Sequence, residues 1–291
     1  MVMSNKSKTP LSVWGYSLLI VGMFFLVTLQ IPKEKAQINI DNKRLQKLKS
    51  IKTSSRKNII AIGTSLTGHA LYPDDKMNLL AKDIGVESIN FLRYANSGRD
   101  LNYFDNLFTK MLGYKPDIVF LDASLVFYDS SNISKFRFRI KNYIKKSLLG
   151  INSPKRRYEE IFEEGVDRKR VETLKGWEKR VLSSTKREAN NLSLPLLKFI
   201  KYAKKNSIKV YIFNFSRAKE AEAIYPKELS QFEDKMALFY LQEYNIGYIK
   251  YPSKLSKNYF TDYAHANRAG REVISKYFLM KVDDILNGRE I

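Results

Sequence analysis

The 291-residue chain contains no cysteine. That absence excludes disulfides, thiolate metal sites, a cysteine nucleophile and a bacterial lipoprotein anchor. Histidine is almost as scarce. His69 and His265 are the only two, which excludes a histidine-rich metal centre. Acidic residues are few beside basic ones, 30 against 51, and the formal net charge is +21. Such a balance favours anionic partners, whether nucleic acid, lipid headgroups or acidic polymers, and says nothing about fold. Internal repeats and low-complexity tracts are also missing. Hydrophobic residues make up 44% of the chain, ordinary for a globular protein, and the length suffices for one large domain or a domain with an insert.

The N-terminal part is the exception to this ordinary composition. "LSVWGYSLLIVGMFFLVTLQI", residues 11–31, carries no charge. At about 1.5 Å per residue such a helix reaches about 30 Å, the thickness of a bilayer core. Lys6 and Lys8 precede it, and Trp14 and Tyr16 stand near one end, as interfacial aromatics do. The following "TLQIPKEKA" is a poor signal-peptidase site, so an uncleaved transmembrane anchor is expected, after a short tail over 1–10. Residues 32–57 are polar and basic without a clear period, and read as a stalk. A bare positive-inside count would keep the C-terminal domain in the cytoplasm. Long domains translocate largely regardless of flanking charge, so orientation waits on function.

From residue 58 onward, short apolar runs alternate with helix-like segments. "NIIAIG" (58–63), "SINFLRYA" (88–95), "DIVFLDAS" (117–124) and "KVYIFNFS" (209–216) suit strands buried on both faces, with "YIKY" (248–251) as a possible last one. Helices are expected over 74–85, 102–116, 228–247 and 267–286. In the last of these, Ile274, Phe278, Val282 and Ile285 share one stripe. The order predicts an α/β domain over 58–291, with a parallel sheet covered by helices. Residues 133–190 break the rhythm. They hold 17 basic and eight acidic side chains, net +9, and read as a basic helical insert that is either solvated or docks on a membrane or partner.

Two stretches can carry chemistry. Gly63-Thr64-Ser65-Leu66 follows the first strand, so Ser65 is expected at the carboxyl end of the sheet, where open parallel sheets bind ligands. A serine there becomes a nucleophile only with a base in reach and amides aimed at the developing oxyanion. Asp262-Tyr263-Ala264-His265 lies in a loop before the final helix. An Asp separated from the His by two residues can orient its imidazole while the His takes a serine proton. His69, four residues after Ser65, is expected to be a turn or surface histidine, with substrate contact as the alternative.

Together the two blocks resemble the SGNH, or GDSL-like, hydrolase superfamily over residues 58–286. The resemblance implies a flavodoxin-like three-layer α/β/α sandwich with Ser65, His265 and Asp262 as a triad. Asn267 and Gly270 follow the second block as they do in that family. "YANSGRD" (94–100) stands where the family supplies an oxyanion glycine, which makes Gly98 the matching candidate beside the Ser65 amide. The family's third-block asparagine has no counterpart in "LDASLVFYD" (121–129), where Asp122 and Ser124 lie near the site without matching, and Thr64 replaces the usual Asp. The layout is also similar to membrane-anchored SGNH proteins of teichoic-acid D-alanylation and exopolysaccharide acetylation. That likeness implies an outward-facing domain on the bacterial cytoplasmic membrane. It also implies a membrane-bound O-acyltransferase partner, an anionic or glycan envelope polymer as acceptor, and neither metal nor diffusible cofactor. The expected function is a serine acyltransferase or esterase. The alternative is a degenerate scaffold that binds polymer or organises an O-acylation complex. Nucleic-acid binding rests on charge alone and is not expected.

Overall fold

The computed structural model describes residues 11–30, 42–53, 55–86, 89–96, 101–129, 173–252 and 254–289. The chain divides into two compact units. One comprises 1–37 with 133–153, and the other 38–132 with 154–291.

In the first unit, α1 (Leu11–Gln30) is a single helix of 20 residues. Trp14, Tyr16, Leu18, Leu19, Ile20 and Met23 are all exposed on it. Among the described residues no helix is long and apolar enough to cross a membrane. The side chains at 11, 21 and 24–30 of α1 lie outside that description, as does residue 31.

The second unit begins with α2 (Asn42–Gln46) and α3 (Lys49–Thr53). Leu45, Leu48 and Ile51 are buried in its core. Residues 42–53, expected within a stalk, therefore fold onto the domain. Apolar residues every third position give even this basic stretch one face to bury.

The main elements then alternate: β1 (Lys57–Gly63), α4 (Ser65–Ala70), α5 (Asp74–Asp83), β2 (Ile89–Ala95), α6 (Asp105–Met111), β3 (Ile118–Asp122), α7 (Ala123–Phe127) and the two-residue β4 (Tyr128–Asp129). After residues 130–172 come α8 (Leu174–Leu182), β5 (Thr185–Lys186), α9 (Leu194–Lys205), β6 (Lys209–Asn214), α10 (Lys219–Ala223), α11 (Lys227–Tyr244), β7 (Gly247–Lys250) and α12 (Arg268–Leu286). The five long strands form one parallel sheet in the order β2-β1-β3-β6-β7. Counting only its members, that is 2-1-3-4-5, the flavodoxin-like order.

Alternation along the strands divides the core into two layers. Ile60, Ile62, Val119, Leu121, Val210 and Ile212 pack with Leu107, Phe108, Leu196, Phe199 and Tyr240 on one face. Ile59, Ala61, Ile118, Phe120 and Phe213 pack with Met77, Ala81, Ile274, Phe278 and Val282 on the other. Ile274, Phe278, Val282 and Ile285 are all buried, so α12 covers the sheet with the stripe its sequence predicts. Helix α9 was not legible as a separate element. Ser193 caps it by accepting the Leu196 amide at 3.4 Å, and Leu196, Phe199, Ile200 and Ala203 form its buried face.

Candidate active site

Strand order changes side at β1, while every strand stays parallel. The strand that follows it pairs on one side and β3 on the other, which opens a crevice past their carboxyl ends. Residues 63–70 lie there. Gly63 is required by close approach, since a Cβ would collide with Thr67 Oγ1 and would stand 2.6 Å from Asp122 Cβ. Thr64 caps α4, its hydroxyl accepting the Leu66 amide at 3.2 Å, and Ser65 opens the helix.

Asp122, at the end of β3, is what holds this turn. One carboxylate oxygen accepts from Thr64 N (3.1 Å), Thr64 Oγ1 (2.8 Å) and Thr67 Oγ1 (2.9 Å). The other accepts from Ser124 N (2.8 Å) and Ser124 Oγ (2.7 Å). The sequence left Asp122 and Ser124 without a role. Buried Asp122 supports the serine from beneath, and Ser124 satisfies its second oxygen. An Asp closing an apolar strand was the available signal, because such a carboxylate must find donors.

Ser65 Oγ lies 2.8 Å from His265 Nε2. His265 Nδ1 lies 2.7 Å from Asp262 Oδ2. An ionised carboxylate only accepts, so Nδ1 carries the imidazole proton and Nε2 is left to accept from the serine hydroxyl. Asp262 is buried, and its Oδ1 accepts the Ala264 and His265 amides, each at 2.8 Å. Burial pushes its carboxyl up. The hydrogen bonds and charge of His265, with the two amides, outweigh burial and hold the carboxyl well below the usual range. The loop is closed by Thr261 N donating to His265 O at 2.8 Å. Asn267 then caps α12 by accepting the Gly270 amide at 3.0 Å, and a Cβ on Gly270 would collide with the Tyr259 carbonyl.

His69 corrects its expectation. It is 8% exposed, neither a surface residue nor part of an open turn, because α4 turns it inward against the His265 loop. Its Nδ1 lies 3.3 Å from the Ala266 carbonyl. Burial first, then neighbouring His265 and Arg271, lower its pKa from 6.5 to about 3, so it is neutral at ordinary pH.

Gly98, the candidate oxyanion glycine, lies outside the described residues. Asn96, just before that segment, donates its amide to Gly63 O at 3.0 Å. The Ser65 amide, the other candidate donor, is the first of α4 and has no acceptor within the helix.

Residues 130–172 of the expected insert also lie outside the description. Residues 173–190 belong to the domain. Trp177 of α8 is 1% exposed, with ring centroids 6.2 Å from Tyr225 and 6.3 Å from Tyr263 of the histidine loop. Three residues on, Arg180 Nη2 comes within 4.0 Å of Asp262 Oδ2. Next, β5 pairs antiparallel with β4, and buried Arg187 bridges Asp129 at 2.6 Å. Among the described residues no cluster of histidine and carboxylate side chains could hold a metal ion.

No family model matches the chain, and no curated protein does. Its fold is similar to several solved structures. One is the lipase/acylhydrolase from Enterococcus faecalis, at 14% identity over 79% of this chain and 96% of that one, TM-score 0.40. Another is a GDSL-like lipase from Bacteroides thetaiotaomicron, at 13% identity over 82% and 98%, TM-score 0.40. A third is the psychrotrophic esterase EstA from Pseudoalteromonas sp., at 11% identity over 79% and 99%, TM-score 0.40. Ser65, His265 and Asp262 form one hydrogen-bonded line from a hydroxyl through an imidazole to a buried carboxylate.

Proposed function

We propose that the protein is a serine-dependent esterase or O-acyltransferase of the SGNH type. The observation that carries this is the Ser65–His265–Asp262 line, assembled from residues 200 positions apart at 2.8 Å and 2.7 Å. Ser65 Oγ attacks an ester or thioester carbonyl while His265 Nε2 takes its proton. Asp262 keeps the ring in the right tautomer and stabilises the imidazolium. The Ser65 amide supplies one oxyanion donor, and Gly98 is the candidate for the second. Collapse expels the alcohol or thiol, protonated by His265. The acyl-enzyme then passes to an acceptor hydroxyl or to water, which His265 deprotonates in turn.

We further propose that residues 11–31 anchor the domain on the outer side of a bacterial cytoplasmic membrane. An uncharged 20-residue helix with a row of exposed apolar side chains supports this, because water disfavours such a surface. The acceptor is then an envelope glycan or anionic polymer, with a membrane-bound O-acyltransferase as partner. The net charge of +21 supports an anionic acceptor.

A fluorophosphonate probe tests the chemistry. It should label wild-type protein at Ser65, and Ser65→Ala and His265→Ala should each abolish labelling while the protein stays folded. Absence of wild-type labelling beside a reactive control esterase, with polymer modification intact in Ser65→Ala, would overturn the catalytic reading. Alkaline carbonate extraction tests the anchor. Release of the full chain from membranes by carbonate would overturn it.

A further inference from the structure

We infer that Arg271, with Arg93, is a positioning residue that ties the helix of the candidate nucleophile to the helix following its base. The inference rests on the reading of Ser65 as nucleophile.

A helix leaves its last carbonyls without donors inside the helix. In α4 those carbonyls are taken by side chains from two distant elements. Gly68 O accepts from Arg271 Nη2 at 2.9 Å and from Arg93 Nη1 at 3.1 Å. His69 O accepts from Arg271 Nε at 3.0 Å. Ala70 O accepts from Ser275 Oγ at 3.2 Å, and Leu71 O from Arg93 Nη1. Arg271 is 1% exposed and Arg93 7%.

Burying a guanidinium is costly, and a well-packed apolar residue commonly stabilises a core as well or better. Stability alone therefore accounts poorly for two arginines here. What a guanidinium adds is a rigid fork, and Arg271 uses its fork on two successive carbonyls, which fixes the helix end in position and direction. Arg271 stands in the first turn of α12, six residues after His265, and its amide donates to Asn267 O at 2.8 Å. One side chain thus spans from the helix after the base to the helix of the nucleophile, 203 residues apart. Any slide of α4 would change the 2.8 Å separation of Ser65 Oγ from His265 Nε2. Displacements near 1 Å between reacting groups cost about 100-fold in rate.

The test measures fluorophosphonate inactivation of the full chain in detergent, with the maximal rate kinact separated from the binding constant KI. Arg271→Met should lower kinact by about 100-fold and leave KI within about threefold. Arg271→Lys, which keeps a donor but not the fork, should recover at least part of that loss. Guanidinium added at low millimolar concentration should partly restore Arg271→Ala. If Arg271→Met does not fold, Arg271→Lys and Arg93→Met carry the same measurement. A folded variant with unchanged kinact, or one whose defect lies entirely in KI, overturns the inference. Wild-type protein that is never labelled at Ser65 overturns the reading beneath it, so the two failures are distinct.

Discussion

The ring of His69 stands edge-on to that of His265, with centroids 5.0 Å apart and planes at 65°. The only two histidines of the chain therefore share one small volume, and one is held neutral beside the other. A charged His69 would repel the imidazolium that the proposed attack would form at His265, so its neutrality favours that chemistry.

That neutrality has a measurable consequence for stability. In the unfolded chain His69 titrates near 6.5, and in the fold near 3. Between those values the unfolded state binds a proton that the folded state refuses. Its contribution is therefore complete above pH 6.5 and is lost as pH falls toward 3. Urea unfolding between pH 6 and 4 should show stability falling by up to about 1.4 kcal/mol per pH unit from this group. His69→Gln should remove one proton from that slope. An unchanged slope in a folded variant would contradict the assignment.

Asp262→Asn should lower the labelling rate of Ser65 by about 10⁴-fold, because an amide can donate to Nδ1 and so favour the wrong tautomer. The fold should persist, since the Asn oxygen can still accept the two loop amides that Asp262 Oδ1 accepts at 2.8 Å. With two histidines in the chain, the imidazole nitrogen spectrum reads the tautomer directly. Loss of the Nδ1 proton on His265 in the variant is the expected signature.

Asp122 supports the turn that carries Ser65 without touching Ser65 itself, so on the proposed function its variants should harm stability and activity together. Asp122→Ala leaves the Thr64 and Ser124 amides and the Thr64, Thr67 and Ser124 hydroxyls without this acceptor. A buried orphan costs about 1–3 kcal/mol, but Thr64 and Ser124 are only half-buried and can turn to water, so a total loss of about 3–5 kcal/mol is expected by urea unfolding. A loss under about 1 kcal/mol would mean that water replaces the carboxylate.

These residues also show which parts of the molecule local sequence could reveal. The parallel sheet was legible because strands buried on both faces must be apolar throughout, as Ile59–Ile62 and Ile118–Leu121 are. The Ser65–His265–Asp262 grouping was legible through two short blocks at opposite ends of the domain. The inward turn of His69 was not, because it depends on how α12 packs against α4, which no local pattern encodes. The same holds for Arg93 and Arg271. A basic residue in an apolar strand or in the first turn of a helix shows its partner only when the chain closes. Helices α2 and α3 were hidden by their lysines, which mask a narrow apolar face.

Helix α8 builds a wall beside the histidine loop. Trp177 anchors it and Arg180 approaches Asp262, so the two residues should fail differently. Trp177→Ala removes a fully buried side chain and should cost about 3–5 kcal/mol, read by urea unfolding. Arg180 is half-exposed, with its guanidinium 4.0 Å from the carboxylate, so Arg180→Ala should cost under about 1 kcal/mol. Its effect should appear in the chemistry instead. Losing a cation near the Asp–His pair removes its repulsion of the imidazolium that the proposed attack would form, so the labelling rate should rise modestly at low salt. The gain should shrink in high salt, since water reaches the guanidinium and ions screen it. A labelling rate unchanged at low salt would show that Arg180 does not reach the pair in solution.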